Sequence, residues 1–327
     1  SNVFVGYLSG GLGVVTGGTN VGVGPQALYD LTSGANNIAI GYRAGYNLTT
    51  GEDNIIIGEQ AGLEITDQSS NTIIGRRAAM AATSAAENVI IGSDAVKTGV
   101  LTGDHNVIIG QNSGNNITSP ENCVVIGHDA VSTGVMTGNQ NTIVGAKSGA
   151  SMTSGATNTV FGPYAMTDNT TGSKNIAIGS DALRYPDTED GNLAIGFQAL
   201  GGSIAGGEDN VAVGNHTLQS LVGADQCVAV GYNAGNDIVN ATGNNLFGYA
   251  AGSVISSGSN NTAVGRNAGQ TNTSGDNNIQ IGYNAKTSAS GTTNSIVIGV
   301  DIATIDNRVA IGKSGALIFA DFASSAT

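Results

Sequence analysis

Residues 37–58 read NIAIGYRAGYNLTTGEDNIIIG, and they span one repeat of the chain from its asparagine, through Gly41, to the next glycine, Gly58. Each of these glycines follows three apolar residues, and an asparagine precedes them. The arrangement recurs at 19 glycines of the 327-residue chain. They are Gly6, Gly24, Gly41, Gly58, Gly75, Gly92, Gly110, Gly127, Gly145, Gly162, Gly179, Gly196, Gly214, Gly231, Gly248, Gly265, Gly282, Gly299 and Gly312. The spacing of successive glycines equals 17 in thirteen intervals, 18 in four and 13 in the last, which predicts one structural unit stacked on copies of itself.

The three residues before each glycine predict a short strand that is buried on both faces. The residue directly before the glycine is Val, Ile or Phe in all 19 repeats, and the middle residue is apolar in all but Gly22 and Gln280. Side chains alternate between the two faces of a strand. We therefore expect one face to fill the inside of the coil and the other to meet a further surface.

The repeat predicts an all-β fold, a parallel β-solenoid of about 19 coils with a 17-residue period. Residues 1–312 form the predicted repeat domain. Residues 313–327, which include the apolar run from Leu317 to Phe322, are predicted to be a C-terminal cap or the junction to a further domain. The chain starts at Ser1 without an initiator Met, and we expect it to be a segment of a longer protein.

An asparagine stands four residues before the glycine in 15 of the 19 repeats. Stacked coils would place these side chains about 4.8 Å apart, so that each amide bonds to the next. A polar binding strip is the alternative interpretation, and we expect the ladder to be structural. Cys123 and Cys227 replace the asparagine in two repeats, six coils apart, which excludes a disulfide between them in a solenoid.

The middle residues of the strands are predicted to form an outward apolar stripe. In seven successive repeats they are Ile56, Ile73, Ile90, Ile108, Val125, Ile143 and Val160. An exposed apolar stripe of this length promotes aggregation. We therefore expect a homo-oligomer, a trimer around a common axis, that buries the stripe.

Composition excludes several classes of function. The formal net charge of −13 argues against nucleic-acid binding, which needs a basic face. No apolar run reaches the roughly 20 residues that a membrane-spanning helix requires. Acidic residues fall in turns, where solvation is the expected role, and the aspartate-bearing nonapeptide of calcium-binding solenoids is missing. We expect no metal site, no cofactor and no membrane insertion.

The sequence also lacks a recognisable catalytic arrangement. The three histidines, His105, His128 and His216, lie at different positions of the repeat. The densest carboxylate cluster is Asp187, Glu189 and Asp190, and paired carboxylates are the groups that glycosidases use. A cluster in a turn is more often surface charge, and we expect no enzyme activity.

Aromatic and basic residues recur directly after the glycine in the later repeats. Tyr232, Tyr249, Arg266 and Tyr283 occupy this position in four successive repeats. They are a candidate glycan-binding ledge, although packing between coils is the simpler interpretation. Glu59 and Arg76 hold the same position in earlier repeats, and we expect a weak ion pair between them.

The motif resembles the head repeat of trimeric autotransporter adhesins, the YadA-like left-handed parallel β-roll. Asn37-Ile38-Ala39-Ile40-Gly41, with Ala44 three residues later, carries the resemblance. The family's repeat is shorter than the one in this chain, and the Thr-Thr-Gly turns are similar to those of bacteriophage tail-fibre proteins. The resemblance covers residues 2–312 and implies a left-handed β-roll and a trimer.

These observations favour a structural fibre or shaft of a virion that supports host attachment. The alternative is the adhesive head of a bacterial surface protein that binds host matrix or glycans. Both place the chain on a virion or at a cell surface. An ice- or mineral-binding solenoid would need a regular threonine array, and the threonine pairs, such as Thr49-Thr50, recur only in places.

Overall fold

The computed structural model describes residues 1–204 and 206–321 and divides the chain into two compact units, Ser1–Gly172 and Ser173–Thr327. It shows an all-β parallel β-solenoid of about 18 turns with a repeat of about 17 residues. The described residues contain no helix, and so none of the length and apolarity needed to cross a membrane. The predicted fold class is confirmed.

In the first unit, each repeat contributes one three-residue strand that pairs in parallel with the strands before and after it. The strands end directly before the repeat glycines. They are β1 (Val3–Val5), β2 (Val21–Val23), β3 (Ile38–Ile40), β4 (Ile55–Ile57), β5 (Thr72–Ile74), β6 (Val89–Ile91), β7 (Val107–Ile109), β8 (Val124–Ile126), β9 (Thr142–Val144) and β10 (Thr159–Phe161).

The second unit continues the pattern and ends in a hairpin. Its strands are β11 (Ile176–Ile178), β12 (Tyr185–Pro186), β13 (Leu193–Ile195), β14 (Ser203–Ile204), β15 (Val211–Val213), β16 (Val228–Val230), β17 (Asn245–Phe247), β18 (Thr262–Val264), β19 (Ile279–Ile281), β20 (Lys286–Thr287), β21 (Ile296–Val300), β22 (Ala303–Thr304), β23 (Arg308–Lys313) and β24 (Ala316–Asp321). Two short parallel pairs, β12 with β14 and β20 with β22, supplement the main ladder. β24 pairs antiparallel with β23, in the region predicted as a cap; residues 322–327 of that region lie outside the described residues.

The repeat glycine is required because two coils come close at this point. Gly75 has φ +139°, and a Cβ placed on it would lie 2.4 Å from the carbonyl oxygen of Gly92 in the next coil. A side chain here would collide with backbone and would also adopt a conformation that L-residues avoid. Glycine therefore recurs because backbone stacks on backbone.

The predicted asparagine ladder is present and buried. Asn37 Oδ1 accepts hydrogen bonds from the backbone N–H of Asn54 at 3.0 Å and from its side-chain amide at 3.0 Å. The side-chain amide of Asn37 also donates to the carbonyl of Gly51 at 2.8 Å, which ties the strand to the turn of its own coil. Each amide thus links two coils and one turn, and the structural interpretation of the ladder is the better supported one.

The prediction of an outward stripe of middle residues is wrong. Ile56, Ile73, Ile90, Ile108, Val125, Ile143 and Val160 are all at most 1% exposed. They point into the coil and form its core, whereas the first and third residues of each strand face outward. The two faces were assigned the wrong way round because both are apolar, so alternation alone does not identify the inner one.

Interior volume is balanced between the middle strand residue and the residue four positions after the glycine. Leu183, Leu200 and Leu218 hold the second position where the strands carry alanine, and all three leucines are fully buried. Glycine occupies the position four after the repeat glycine beside larger strand residues, for example Gly62 near Ile56. The alanines at the middle positions of β11, β13 and β15, Ala177, Ala194 and Ala212, therefore make room for these leucines.

Candidate functional site

The first and third residues of the strands form an exposed apolar ribbon along each unit. In the first unit, Ile38 is 37% exposed, Ile40 is 40% exposed and Phe161 is 43% exposed. The third residue is Val, Ile or Phe in every repeat, and the first is interrupted in this unit only by three threonines. A flat, branched apolar surface of this kind is suited to packing against another protein surface.

The size of the apolar ribbon exceeds what scattered surface residues explain. Ten strands at about 4.8 Å and a width of about two residues give roughly 300 Å² of apolar surface on the first unit. The largest apolar patch on a typical monomer measures about 300–600 Å² and is often functional. The same two columns recur in the second unit, where Ile176 is 39% and Ile178 is 38% exposed.

The structure brings the predicted aromatic residues together in adjacent coils. The rings of Tyr232 and Tyr249 stack, with centroids 5.3 Å apart and an interplanar angle of 14°. The guanidinium carbon of Arg266 lies 5.5 Å from the Tyr249 centroid. On the other side of the pair, His216 contacts Tyr232 edge-on at 5.9 Å. The column is therefore continuous, and Tyr283 follows it with 46% of its surface exposed.

This stacking limits what the aromatic column offers to a sugar. A pyranose ring packs on the face of an aromatic ring, whereas Tyr249 has one face against Tyr232 and the other against Arg266. The edges and hydroxyl of Tyr249 are left to face solvent, and one face of Tyr232 is covered by Tyr249. The geometry supports cross-coil packing for this pair, and glycan binding by Tyr232, Tyr249, Arg266 and Tyr283 stays a prediction.

Arg76 takes part in a different ion pair from the one predicted. It contacts Asp94 in the next coil at 3.2 Å, and no ion pair with Glu59 forms within the described residues. Asp94 Oδ1 also lies 2.8 Å from Arg77 Nε and 3.9 Å from Lys97 Nζ. Three cations thus surround one carboxylate, because the aspartate occupies the same coil position as Arg77, one turn later.

The carboxylate cluster near residue 189 is structural. Glu189 is only 4% exposed, and its side chain accepts backbone N–H groups of Asp187 at 2.8 Å, Thr188 at 3.0 Å and Gly206 at 2.7 Å. Asp190 Oδ1 accepts the backbone N–H of Ser173 at 2.6 Å. Both carboxylates therefore bind backbone N–H groups of the turns.

Threonine hydroxyls are likewise used between coils. Thr32 Oγ1 donates to the carbonyl of Thr49 at 3.1 Å, and Thr49 Oγ1 donates to that of Thr66 at 2.9 Å. These threonines each stand eight residues after a repeat glycine, and they stack as a column from coil to coil. The column was not apparent from the Thr-Thr pairs in the sequence. Because the hydroxyls bind backbone, the column is explained by coil stacking.

The histidines and cysteines do not converge. His105 pairs with Glu87 at 3.0 Å and His128 with Asp129 at 3.2 Å, and the described residues hold no group of three or more His, Cys, Asp or Glu that fits a metal ion. Cys123 is a free, buried thiol. It takes the place of asparagine in the ladder and accepts the Asn141 backbone N–H at 3.3 Å. Burial raises the pKa of this thiol, as it does that of Cys227, because an apolar environment disfavours the thiolate.

Comparison with models of known protein families finds no match, and comparison with curated proteins finds none either. The chain is a β-solenoid repeat protein with coils of about 17 residues. Its most extensive candidate interaction surface among the described residues is the apolar ribbon.

Proposed function

We propose that this chain is a shaft segment of a multi-chain fibre, such as the tail or capsid fibre of a virion, that supports host attachment. The observation that carries the proposal is the apolar ribbon, a continuous exposed surface whose third-residue column is Val, Ile or Phe in every repeat. A surface selected for solubility alone would carry polar residues there. Burial of the ribbon between copies of the chain explains why it stays apolar.

The proposed role is mechanical, and it places the chain on a virion or outside a cell. The turns and ladders of both units serve coil stacking, and the charged groups described above bind backbone or one another. Three chains around one axis would bury the three ribbons together, as in the trimeric families that the repeat resembles. The role requires neither catalysis nor a cofactor.

An adhesin head that binds host matrix or glycans is the second candidate. The column of Phe197, His216, Tyr232 and Tyr249 favours it, because these side chains lie on the outer surface of four successive coils. Phe197 is 42% exposed and Tyr249 is 51% exposed. Glycan or matrix binding that Tyr249→Ala removes, in a protein that keeps its oligomeric mass, would favour this candidate over a spacer.

The mass of the native protein tests the main proposal. We expect light scattering at micromolar concentration to give three times the 32.4 kDa of one chain. Ile40→Lys places a charge in the apolar ribbon and should shift the protein towards monomer. Val100→Lys is the matched control, because Val100 is 47% exposed but lies in a turn away from the ribbon. A folded wild-type protein that is monomeric at high concentration would refute the proposal.

A further inference from the structure

A cleft of about 230 Å³, the Tyr29 cleft, opens on the surface of the first unit. Two residues of the first coil and four of the second line it, and they are Leu12, Gly13, Tyr29, Asp30, Leu31 and Thr32. All six stand well after the repeat glycines Gly6 and Gly24, whereas the apolar ribbon stands directly before them. Burial of the ribbon between chains therefore does not by itself fill this cleft.

The cleft forms because the first coil bulges where the following coils stack. In the second coil, the residue six after the repeat glycine is Asp30, and its N–H donates to the Tyr46 carbonyl of the third coil at 3.0 Å. Leu12 holds this position in the first coil, and the matching bond to the Tyr29 carbonyl is missing from the described residues. The chain rejoins the stack at Thr16, whose N–H donates to the second coil at 2.7 Å. Leu12 is accordingly 80% exposed.

One face of the Tyr29 ring is open towards the first coil. Its other face stacks on Tyr46, with centroids 4.9 Å apart and an interplanar angle of 3°. In the first coil the equivalent position holds Gly11, which has no side chain to cover the ring. The Arg43 guanidinium carbon lies 5.3 Å from the Tyr46 centroid and packs the supporting ring in place. Tyr29 therefore offers the open aromatic face that Tyr249 lacks.

Polar groups border this aromatic face. Asp30 is exposed, and its carboxylate forms no ion pair in the part of the chain that the structure describes. Thr32 Oγ1 donates to the Thr49 carbonyl at 3.1 Å, which leaves the lone pairs of its oxygen to accept a hydrogen bond. Leu12 adds apolar surface to the lining. The cleft thus combines the Tyr29 ring with two groups that accept hydrogen bonds from hydroxyls.

We infer that the Tyr29 cleft binds one pyranose ring of a neutral glycan. The apolar C–H face of the sugar packs on the open face of Tyr29, and its hydroxyls donate to the Asp30 carboxylate and to Thr32. Sites for drug-sized ligands measure about 300–1,000 Å³, and a cleft of about 230 Å³ suits a single ring. This site adds ligand binding to the proposed shaft and does not depend on self-association of the chain.

A quaternary ammonium group is the competing ligand, because a carboxylate beside an aromatic face also attracts cations. Such cations are typically held in cages of several aromatic faces. The six residues that line the Tyr29 cleft include one aromatic ring, whose partner Tyr46 lies behind it. An open platform with hydroxyl acceptors at its side therefore favours the sugar.

Titration of the intact protein with methyl glycosides of glucose, galactose, mannose and N-acetylglucosamine tests this assignment, with saturation-transfer NMR as the signal. We expect at least one of them to bind with a Kd of about 1 mM, the scale of a ligand of one ring. The C–H protons on one face of that sugar should shift upfield on binding, because they lie over the ring of Tyr29. Tetramethylammonium is the probe for the competing class of ligand.

Variants locate the site. Tyr29→Ala removes the platform and should raise the Kd by about tenfold or more, whereas Tyr29→Phe keeps the ring and should stay within about threefold. Asp30→Ala removes the main hydroxyl acceptor and should raise the Kd by about fivefold.

A substitution that blocks the cleft without removing any contact guards against loss of folding. A Cβ placed on Gly13 meets nothing within 4 Å, so Gly13→Leu adds a side chain at the lining of the cleft and should raise the Kd by about tenfold or more. Gly18→Leu is the matched control, because a Cβ there also meets nothing within 4 Å and Gly18 does not line the cleft. Circular dichroism of both variants should equal that of the wild type.

The outcomes separate this site from the proposed shaft. Sugar binding that Tyr29→Ala and Gly13→Leu weaken, and that Gly18→Leu keeps, would support the inference. It would be overturned by no binding of any glycoside at about 20 mM, twenty times the expected Kd, by undiminished binding in Gly13→Leu, or by tighter binding of tetramethylammonium than of the sugars. Binding that Tyr249→Ala removes and Tyr29→Ala keeps would also overturn it. Each of these results leaves the multi-chain fibre standing, which the mass of the protein decides.

Discussion

Interior volume should be exchangeable between the strand and the position four residues after the glycine. Ile56 is fully buried, and a Cβ placed on Gly45 would lie 3.0 Å from its Cδ1. Ile56→Ala removes three carbon atoms from a closed core and should cost about 2–5 kcal/mol of unfolding free energy. Gly45→Leu alone should overpack the same space and cost about 1–3 kcal/mol.

The double variant Ile56→Ala/Gly45→Leu should be more stable than the sum of the single changes predicts. It recreates an arrangement already present in the second unit, where Leu183 lies between strands with Ala177 and Ala194 at their middle positions. The backbone permits it, because Gly45 has φ +58° and Leu28 already adopts φ 53° at the equivalent position. We expect a coupling of at least about 1.5 kcal/mol, within the range seen for contacting residues.

Denaturant unfolding of the wild type, both single variants and the double variant measures this coupling, with circular dichroism as the signal. The m-value must stay constant for the free energies to be comparable. Costs that add within about 0.5 kcal/mol would show that the two positions do not share one space, and the volume-exchange argument would fail. Ile73→Ala combined with Gly45→Leu is the mismatched control, since Ile73 is not among the atoms nearest to Gly45.

Three further predictions concern the interior. Asn54→Ala removes the Oδ1 atom that accepts the Asn71 backbone N–H at 3.0 Å, and the unfolding free energy measured with denaturant should fall by about 2–4 kcal/mol. Cys123→Asn restores the common ladder residue and should leave the unfolding free energy unchanged. Gln280 is fully buried and neither side-chain polar atom has a hydrogen-bond partner, so Gln280→Leu should stabilise the protein by about 1–3 kcal/mol, and a lower thermal midpoint would contradict this. Cys123 and Cys227 should resist a thiol reagent at pH 8 and react fully in guanidinium, because burial raises both thiol pKa values and blocks access; rapid labelling of the native protein would disagree.

The period of the sequence was enough to predict the coil and the ladder, because each depends on a residue type that recurs at one position. The direction of the strand faces was not predictable from alternation, since Ile55, Ile56 and Ile57 are all isoleucine. A usable signal was present elsewhere. In several repeats a small middle residue is followed six positions later by a leucine and a large one by glycine, as in Gly22 with Leu28 and Ile56 with Gly62, and such compensation is expected only in a closed interior.

Other features leave only a partial trace in the sequence. The residue two positions after the glycine has a positive φ of about 56° in Arg43, Gln60 and Arg77, and the residue four after it reaches φ 49° in Val96. Such conformations normally point to glycine or asparagine. Glycine fills the position four after the repeat glycine in eight of the 19 repeats, and Asn or Asp fills the position two after it in eight. In the other repeats the stacked coils hold larger side chains in this conformation.

These left-handed residues explain why the coils must form together. Each one is unfavourable by itself, by roughly 1–2 kcal/mol for an ordinary side chain. The same residues make backbone hydrogen bonds between coils. The N–H of Gln60 donates to the carbonyl of Tyr42, and the N–H of Arg77 donates to the carbonyl of Glu59, both at 2.8 Å. A coil without a neighbour keeps the strain and lacks these bonds, so stability depends on nearest-neighbour contacts.

An unpaired end is therefore the weakest point of a stack. In the second unit, β24 supplies a partner for β23, the last strand of the parallel ladder, by pairing antiparallel with it. The outward strand faces have no such intrachain partner among the described residues, and we propose a second copy of the chain as the occupant of the apolar ribbon.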